Sequence, residues 1–320
     1  RGLGDVYKRQ IFAHSFSIIH YTMIEKQWYK VGGYSFCITV DSIPNLLETL
    51  TNCHPFRISE EEAKSTDETI FNLAIKESIQ KPIFTGKFIV QFEGEGIYLD
   101  LYESTNGEQI FAISMQKRSI ALLKLEQNSP KASLILAAGL NHQQQTFAIN
   151  NTLMLLYAIH TACKNALLIH ASVIACKNHG YIFLGKSGTG KSTHSQLWLQ
   201  HIEQSYLLND DNPVIRLHNN EVIVYGTPWS GKTPCYRNES MPLGGIVRLS
   251  QYPENKIERL TGAAAYAAIA PSASAIRWKQ EYAEGLHSTL SKIVSHIGIY
   301  HLQCRPDKEA ALLCYETISK

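Results

Sequence analysis

Net charge is almost absent from this 320-residue sequence: 30 basic residues stand against 28 acidic ones, for a formal balance of +2. No global field draws the chain to nucleic acid or to an anionic membrane, and neither is expected as a partner. The seven cysteines, Cys37, Cys53, Cys163, Cys176, Cys235, Cys304 and Cys314, are odd in number and form no C-x-x-C pair. That argues against a disulfide framework and a structural zinc site, and predicts reduced thiols in a cytoplasmic setting. Long hydrophobic runs are missing too. The most apolar stretch, Leu153 to Cys176, is interrupted by His160, Lys164, Asn165 and His170, whereas a bilayer span needs roughly 20 uncharged apolar residues. There is no initiating Met and no apolar signal-peptide core at the start. Residues Asp5 to Gln10 look like a translated transposon end, so residues 1–10 are expected to be a non-native artefact. Internal repeats and low-complexity tracts are lacking as well.

What is present suffices for two domains: 44% of residues are hydrophobic, enough for a core in each. From Tyr34 to Glu126 the pattern is mostly period two, and Phe88–Phe92, Ile97–Leu101, Gln109–Ile113 and Ser119–Leu125 each read as short strands. Gly94, Gly96 and Asn106-Gly107 punctuate them as hairpin turns. A short helix is expected over Pro44 to Leu50, and an exposed loop or helix start over Ser59 to Asp67. This half, residues 11–149, carries no nucleophile, metal cluster or phosphate loop and is expected to be a mostly-β docking or oligomerisation domain. A helix over Asn150 to Lys164, capped by Asn150 or Asn151, is taken as the junction to a second domain, residues 150–320.

After that helix come two apolar runs, Ala166 to Ala175 and Tyr181 to Leu184, separated by the turn-like Lys177 to Gly180. They lead into Gly185-Lys-Ser-Gly-Thr-Gly-Lys191-Ser192, which fits G-x-x-x-x-G-K-[ST] in full, and Thr193 to His201 after it can form a helix. Gly185, Gly188 and Gly190 let backbone amides turn inward as an anion-binding nest, to which the helix start adds its positive end. Lys191 is placed on the β and γ phosphates of a nucleotide, Ser192 on Mg²⁺, and Ser187, Thr189 and Thr193 among the residues that hold the nucleotide. A second string, Gly226 to Thr233, satisfies the same expression. Pro228, Trp229 and the nearby Pro234 and Pro242 exclude it as a phosphate loop, although it suits an active-site loop. The Ala-rich run Gly262 to Ala270 reads as a helix that Pro271 ends.

Ser205 to Leu208 reads as a strand ending in Asn209-Asp210-Asp211. Mg²⁺ needs oxygen ligands and an acceptor hydroxyl needs a base, and two adjacent carboxylates beside a phosphate loop can supply both. Which aspartate does which is not decided by the sequence, and Asn-Asp-Asp-Asn-Pro is also good turn chemistry. Arg237 is a candidate phosphate contact, since a guanidinium matches phosphoryl oxygens in pairs.

His170-Ala-Ser-Val, Leu184 to Ser192 and Leu208-Asn-Asp-Asp211 together resemble the catalytic domain of HPr kinase/phosphorylase, whose fold is shared with phosphoenolpyruvate carboxykinase. The resemblance covers about Ala166 to Val224 well and the rest to Lys320 loosely. It implies an α/β (α+β) fold, with a C-terminal P-loop domain of that type behind a smaller mostly-β domain, and ATP-dependent phosphorylation of a serine hydroxyl in a protein, peptide or small molecule. It also places His170 near the γ-phosphate, where a histidine in an apolar strand read alone is equally a core residue, and it implies homo-oligomers. Two features depart from the family. Thr193 follows the loop serine where an acidic residue is usual, and the family's Arg-Gly signature is not recognisable in Tyr225 to Pro234. HPr itself is therefore not the expected acceptor, and the chain looks more like the paralogues of that kinase found with peptide-modification genes or acting on free serine. The alternatives are an ATP-binding regulator without transfer activity and, last, a decarboxylating carboxykinase.

Overall fold

The computed structural model describes residues 24–65, 69–78, 85–94, 97–116, 118–231, 233–274 and 279–319. The supposed artefact at 1–10, part of the turn at 95–96 and Lys232 lie outside the described residues. Among the described residues the fold is mixed α/β with two large mixed sheets.

The first sheet has nine strands: β1 (Ile24–Val31), β2 (Tyr34–Asp41), β3 (Arg57–Ile58), β4 (Thr69–Ser78), β5 (Lys87–Gly94), β6 (Ile97–Glu103), β7 (Gln109–Met115), β8 (Arg118–Leu125) and β9 (Lys131–Ala137), in the order β3-β1-β2-β4-β9-β8-β7-β6-β5. The four strands expected from period-two patterning form the antiparallel run β5 to β8. The hairpin pattern does not extend across the sheet, because β4 pairs parallel with both β2 and β9. Two short helices, α1 (Leu46–Thr49) and α2 (Glu60–Lys64), connect β2 to β4. The acidic stretch is thus a helix start, with the Ser59 side chain accepting from the Glu62 amide.

The junction helix α3 (His142–Thr161) begins eight residues before the position expected for it. Asn141 and Gln144 form a reciprocal capping box, satisfying two amides at once. Asn150 and Asn151 instead lie inside the helix: the Asn151 amide donates to the Phe147 carbonyl at 2.9 Å, and Asn150 Oδ1 accepts from Asn52 at 2.8 Å. Ile149, Leu153, Leu156 and Tyr157 of α3 are fully buried in one core with Phe36, Phe71 and Phe111 of the first sheet and Ala166, Leu168, Val214 and Trp229 from further along the chain.

The second sheet contains β10 (Ala166–Ile169), β11 (Ser172–Cys176), β12 (His179–Leu184), β13 (Ser205–Asn209), β14 (Val214–His218), β15 (Glu221–Tyr225), β16 (Ser240–Gln251), β17 (Lys256–Leu260), β18 (Ala273–Ser274) and β19 (Ile299–Cys304). With them come α4 (Lys191–His201), α5 (Gly262–Ile269), α6 (Gln280–His296) and α7 (Lys308–Ile318). β12 is apolar without alternation because both its faces are covered, as is usual for a strand with a parallel neighbour, here β16. Ile182 and Leu184 point to a core shared with α5 and α6, while Tyr181 and Phe183 point to one shared with α4 and α7. The apolar run Ala166 to Ala175, expected as one strand, is two. At His170-Ala171 the chain leaves β14 and β18 to join β12 and β13, and the freed amides are taken by Ser272 O at 2.7 Å and Asp211 O at 2.8 Å. No described helix is long and apolar enough to cross a membrane.

Candidate active site

The glycine-rich loop lies between β12 and α4, and the helix starts at Lys191. Gly188 and Gly190 have φ of 81° and 102°, the left-handed region in which a side chain is strained. Those turns reverse the backbone and set Gly190 as the residue before the first helical turn. The loop is braced internally by the Thr189 hydroxyl, which donates to Lys186 O at 2.8 Å. Ser187, Ser192 and Thr193 are exposed along its mouth.

Lys191 folds back over the loop and donates to Gly185 O at 2.9 Å. Its Nζ also lies 3.1 Å from His170 Nε2, and on the other side of that ring Nδ1 lies 2.9 Å from Asp211 Oδ1. A neutral imidazole protonated at Nδ1 satisfies both contacts, accepting from the ammonium and donating to the carboxylate. Burial pushes the Lys191 ammonium below its ordinary value, against the opposing pull of Asp211 and Asp210. The break between β10 and β11 is what frees His170 from the ladder and turns it toward the loop.

Asp210 is buried, and its Oδ1 accepts from the Ser172 hydroxyl at 3.3 Å. Ser172 is in turn 2.8 Å from Ser195, one turn along α4 from Ser192. The two adjacent carboxylates therefore face different ways, Asp210 toward the first turns of α4 and Asp211 toward His170. Asn209 holds the turn between them: its side-chain Oδ1 accepts from the backbone amides of Asp211 and Asn212, both at 3.0 Å, and its Nδ2 donates to Thr227 Oγ1 and Trp229 O. The turn chemistry of Asn-Asp-Asp-Asn and the clustering of acids are thus the same feature. Sequence reasoning passed over Asn209, Ser172 and Ser195. The one signal was spacing, since Ser172 follows His170 by two and Ser195 follows Ser192 by three.

Arg237 is not gathered with these groups. Its Nε donates to Leu207 O at 2.9 Å, its Nη1 lies 3.3 Å from Glu239, and its guanidinium lies 5.1 Å from the centre of the Tyr206 ring. The second glycine string is followed by strand β16 rather than a helix, and Trp229 within it packs edge-on to Tyr157 in the first core. A cleft of about 630 Å³ opens beside the loop, lined by Gly188, Thr193, His194, Tyr252 and Arg305 among others. Asp210, Asp211 and Ser192 offer oxygen donors only, which suits a hard cation such as Mg²⁺ that keeps water and phosphate oxygens as its remaining ligands. Among the described residues no three or more His, Cys, Asp or Glu side chains form a ready metal cage.

A family model described as SynChlorMet cassette protein ScmC matches residues 136–297, just over half of the chain. The chain belongs to that ScmC family. Among solved structures it is similar to the Hpr(Ser) kinase/phosphatase from Coxiella burnetii at 14% identity, over 47% of this chain and 91% of that one. The TM-score is 0.27, a likeness too slight to carry the site across. No curated protein matches.

Proposed function

We propose that this chain is a kinase that moves the γ-phosphoryl group of ATP to a serine-type hydroxyl. The observation that supports this best is the line Lys191, His170, Asp211: a cation that belongs with phosphate oxygens is tied through one imidazole to a carboxylate. A carboxylate so placed can take a proton from an acceptor hydroxyl, a role that nucleotide binding alone does not require. In this reading the loop amides and Lys191 bind and orient the phosphates, and positioning with charge neutralisation provides most of the rate. The acceptor oxygen bonds to the γ-phosphorus as the bond from that phosphorus to the β–γ bridging oxygen breaks, ADP leaves with the electron pair, and Asp211 takes the hydroxyl proton. His170 and Asn212 keep Asp211 in place, the latter by donating to Oδ2 at 2.5 Å. Asp210 and Ser192, on the α4 side, would hold Mg²⁺, which when bound neutralises phosphate charge.

The test separates binding from chemistry. Lys191→Ala should weaken Mg·ATP binding severely in calorimetry with the fold intact. Asp211→Asn should still bind ATP while transfer of labelled phosphate falls about 10²- to 10⁴-fold, as expected for loss of a general base. Asp210→Asn should instead raise the Mg²⁺ requirement. A parent protein that binds ATP and transfers to no serine-containing acceptor would make it a nucleotide-switched regulator instead.

A further inference from the structure

A smaller cleft of about 270 Å³ has Asp211 and Asn212 in its lining. Three parts of the chain meet there. The end of α1 and the segment after it bring Thr49, Thr51 and Asn52; α3 brings His142, Thr146, Asn150 and Met154; and the site loops bring Asp211, Asn212, Trp229 and Ser230. The four α3 residues are spaced by four, so they form one stripe along the helix. Asn52 joins the walls, donating to Asn150 Oδ1 at 2.8 Å and to Pro228 O at 3.0 Å. Trp229 also lines this cleft, with its ring packed edge-on to Tyr157.

We propose that this cleft is the acceptor site, that the first half of the chain forms its outer wall, and that it takes a seryl residue within an uncharged, amide-linked peptide segment. The inference rests on the kinase reading for its use of Asp211. Three asparagines and several hydroxyls offer donors and acceptors that match peptide N–H and C=O groups, and a space this size holds about one residue and its flanking amides. ATP reaches Asp211 from the glycine-loop side and the acceptor from the α3 side, so the hydroxyl meets the γ-phosphorus at the carboxylate.

The experiment uses the full chain with Mg·ADP, N-acetyl-Gly-Ser-Gly-amide as probe and free L-serine in parallel, with binding read by saturation-transfer NMR. With Mg·ATP, the KM and kcat for each are then measured. The parent should bind the blocked peptide at least tenfold more tightly than free serine. Thr146→Trp, which fills the cleft from a half-buried helical position, should weaken peptide binding tenfold or more while ATP affinity stays within twofold, and Asn52→Ala should act in the same direction. Peptide binding that Thr146→Trp abolishes, without any transfer by the parent, would support the cleft and sink the kinase reading. Peptide binding that neither variant alters, or tighter binding of free serine, would overturn the cleft assignment even if transfer occurs.

Discussion

Acid should destabilise this protein through a buried histidine of α4. His194 on α4 is buried, its Nε2 accepts from the indole N–H of Trp198 at 3.2 Å, and Phe183 meets its ring edge-on at 4.8 Å. Burial pushes its pKa down from 6.5 to about 4. The folded state therefore refuses a proton that the unfolded chain accepts, so stability is full above pH 6.5 and is lost as the pH falls toward 4. Linkage between those two values gives about 2 kcal/mol lost at pH 5 and about 3.4 kcal/mol well below pH 4. His160, likewise lowered to about 4 by burial, adds in the same direction. In His194→Gln the amide oxygen can still accept from Trp198 but does not titrate. Urea unfolding at pH 7 and pH 5 should show the parent losing about 2 kcal/mol more than the variant over that interval. Equal losses in the two proteins would refute the assignment of acid sensitivity to His194.

Gly226→Ala should destabilise by about 2–4 kcal/mol, because a Cβ there would lie 2.1 Å from Arg237 O and would force apart the strand ends that the Gly226 amide joins to Glu239 O at 2.9 Å. A melting temperature within a degree of the parent's would count against that close approach. Trp198→Ala should cost about 3–5 kcal/mol, since the ring is fully buried against Tyr181, Phe183 and Tyr315, and thermal denaturation measures it.

The glycine loop could be read from sequence because its parts are contiguous: an apolar strand, a spaced set of glycines and a helix start lie within about twenty residues of one another. Strands β5 to β8 were legible for the same reason, as neighbours in sequence are neighbours in the sheet. The parallel pairs of β4 with β2 and β9 were not, because parallel partners are far apart in sequence and no turn announces them. The start of α3 was missed because two asparagines inside the helix competed with the true cap at Asn141. Around the candidate site, the tie between His170 and Asp211 spans forty-odd residues and depends on the strand break at Ala171. Apolar patterning hid that break, since both strands flanking it are buried. The second cleft needs Asn52 beside Asn150, a pairing that local patterning does not encode.

The first core is completed by Ala166, Leu168, Val214 and Trp229, which arrive long after its own sheet has been specified. During synthesis from the N-terminus, the strands of the first sheet and α3 therefore emerge before part of their core exists, and that part follows only as residues 166 to 229 and beyond are made. Until then the α3 residues that meet them lack those partners, and slow translation between residues 166 and 229 would lengthen that exposure.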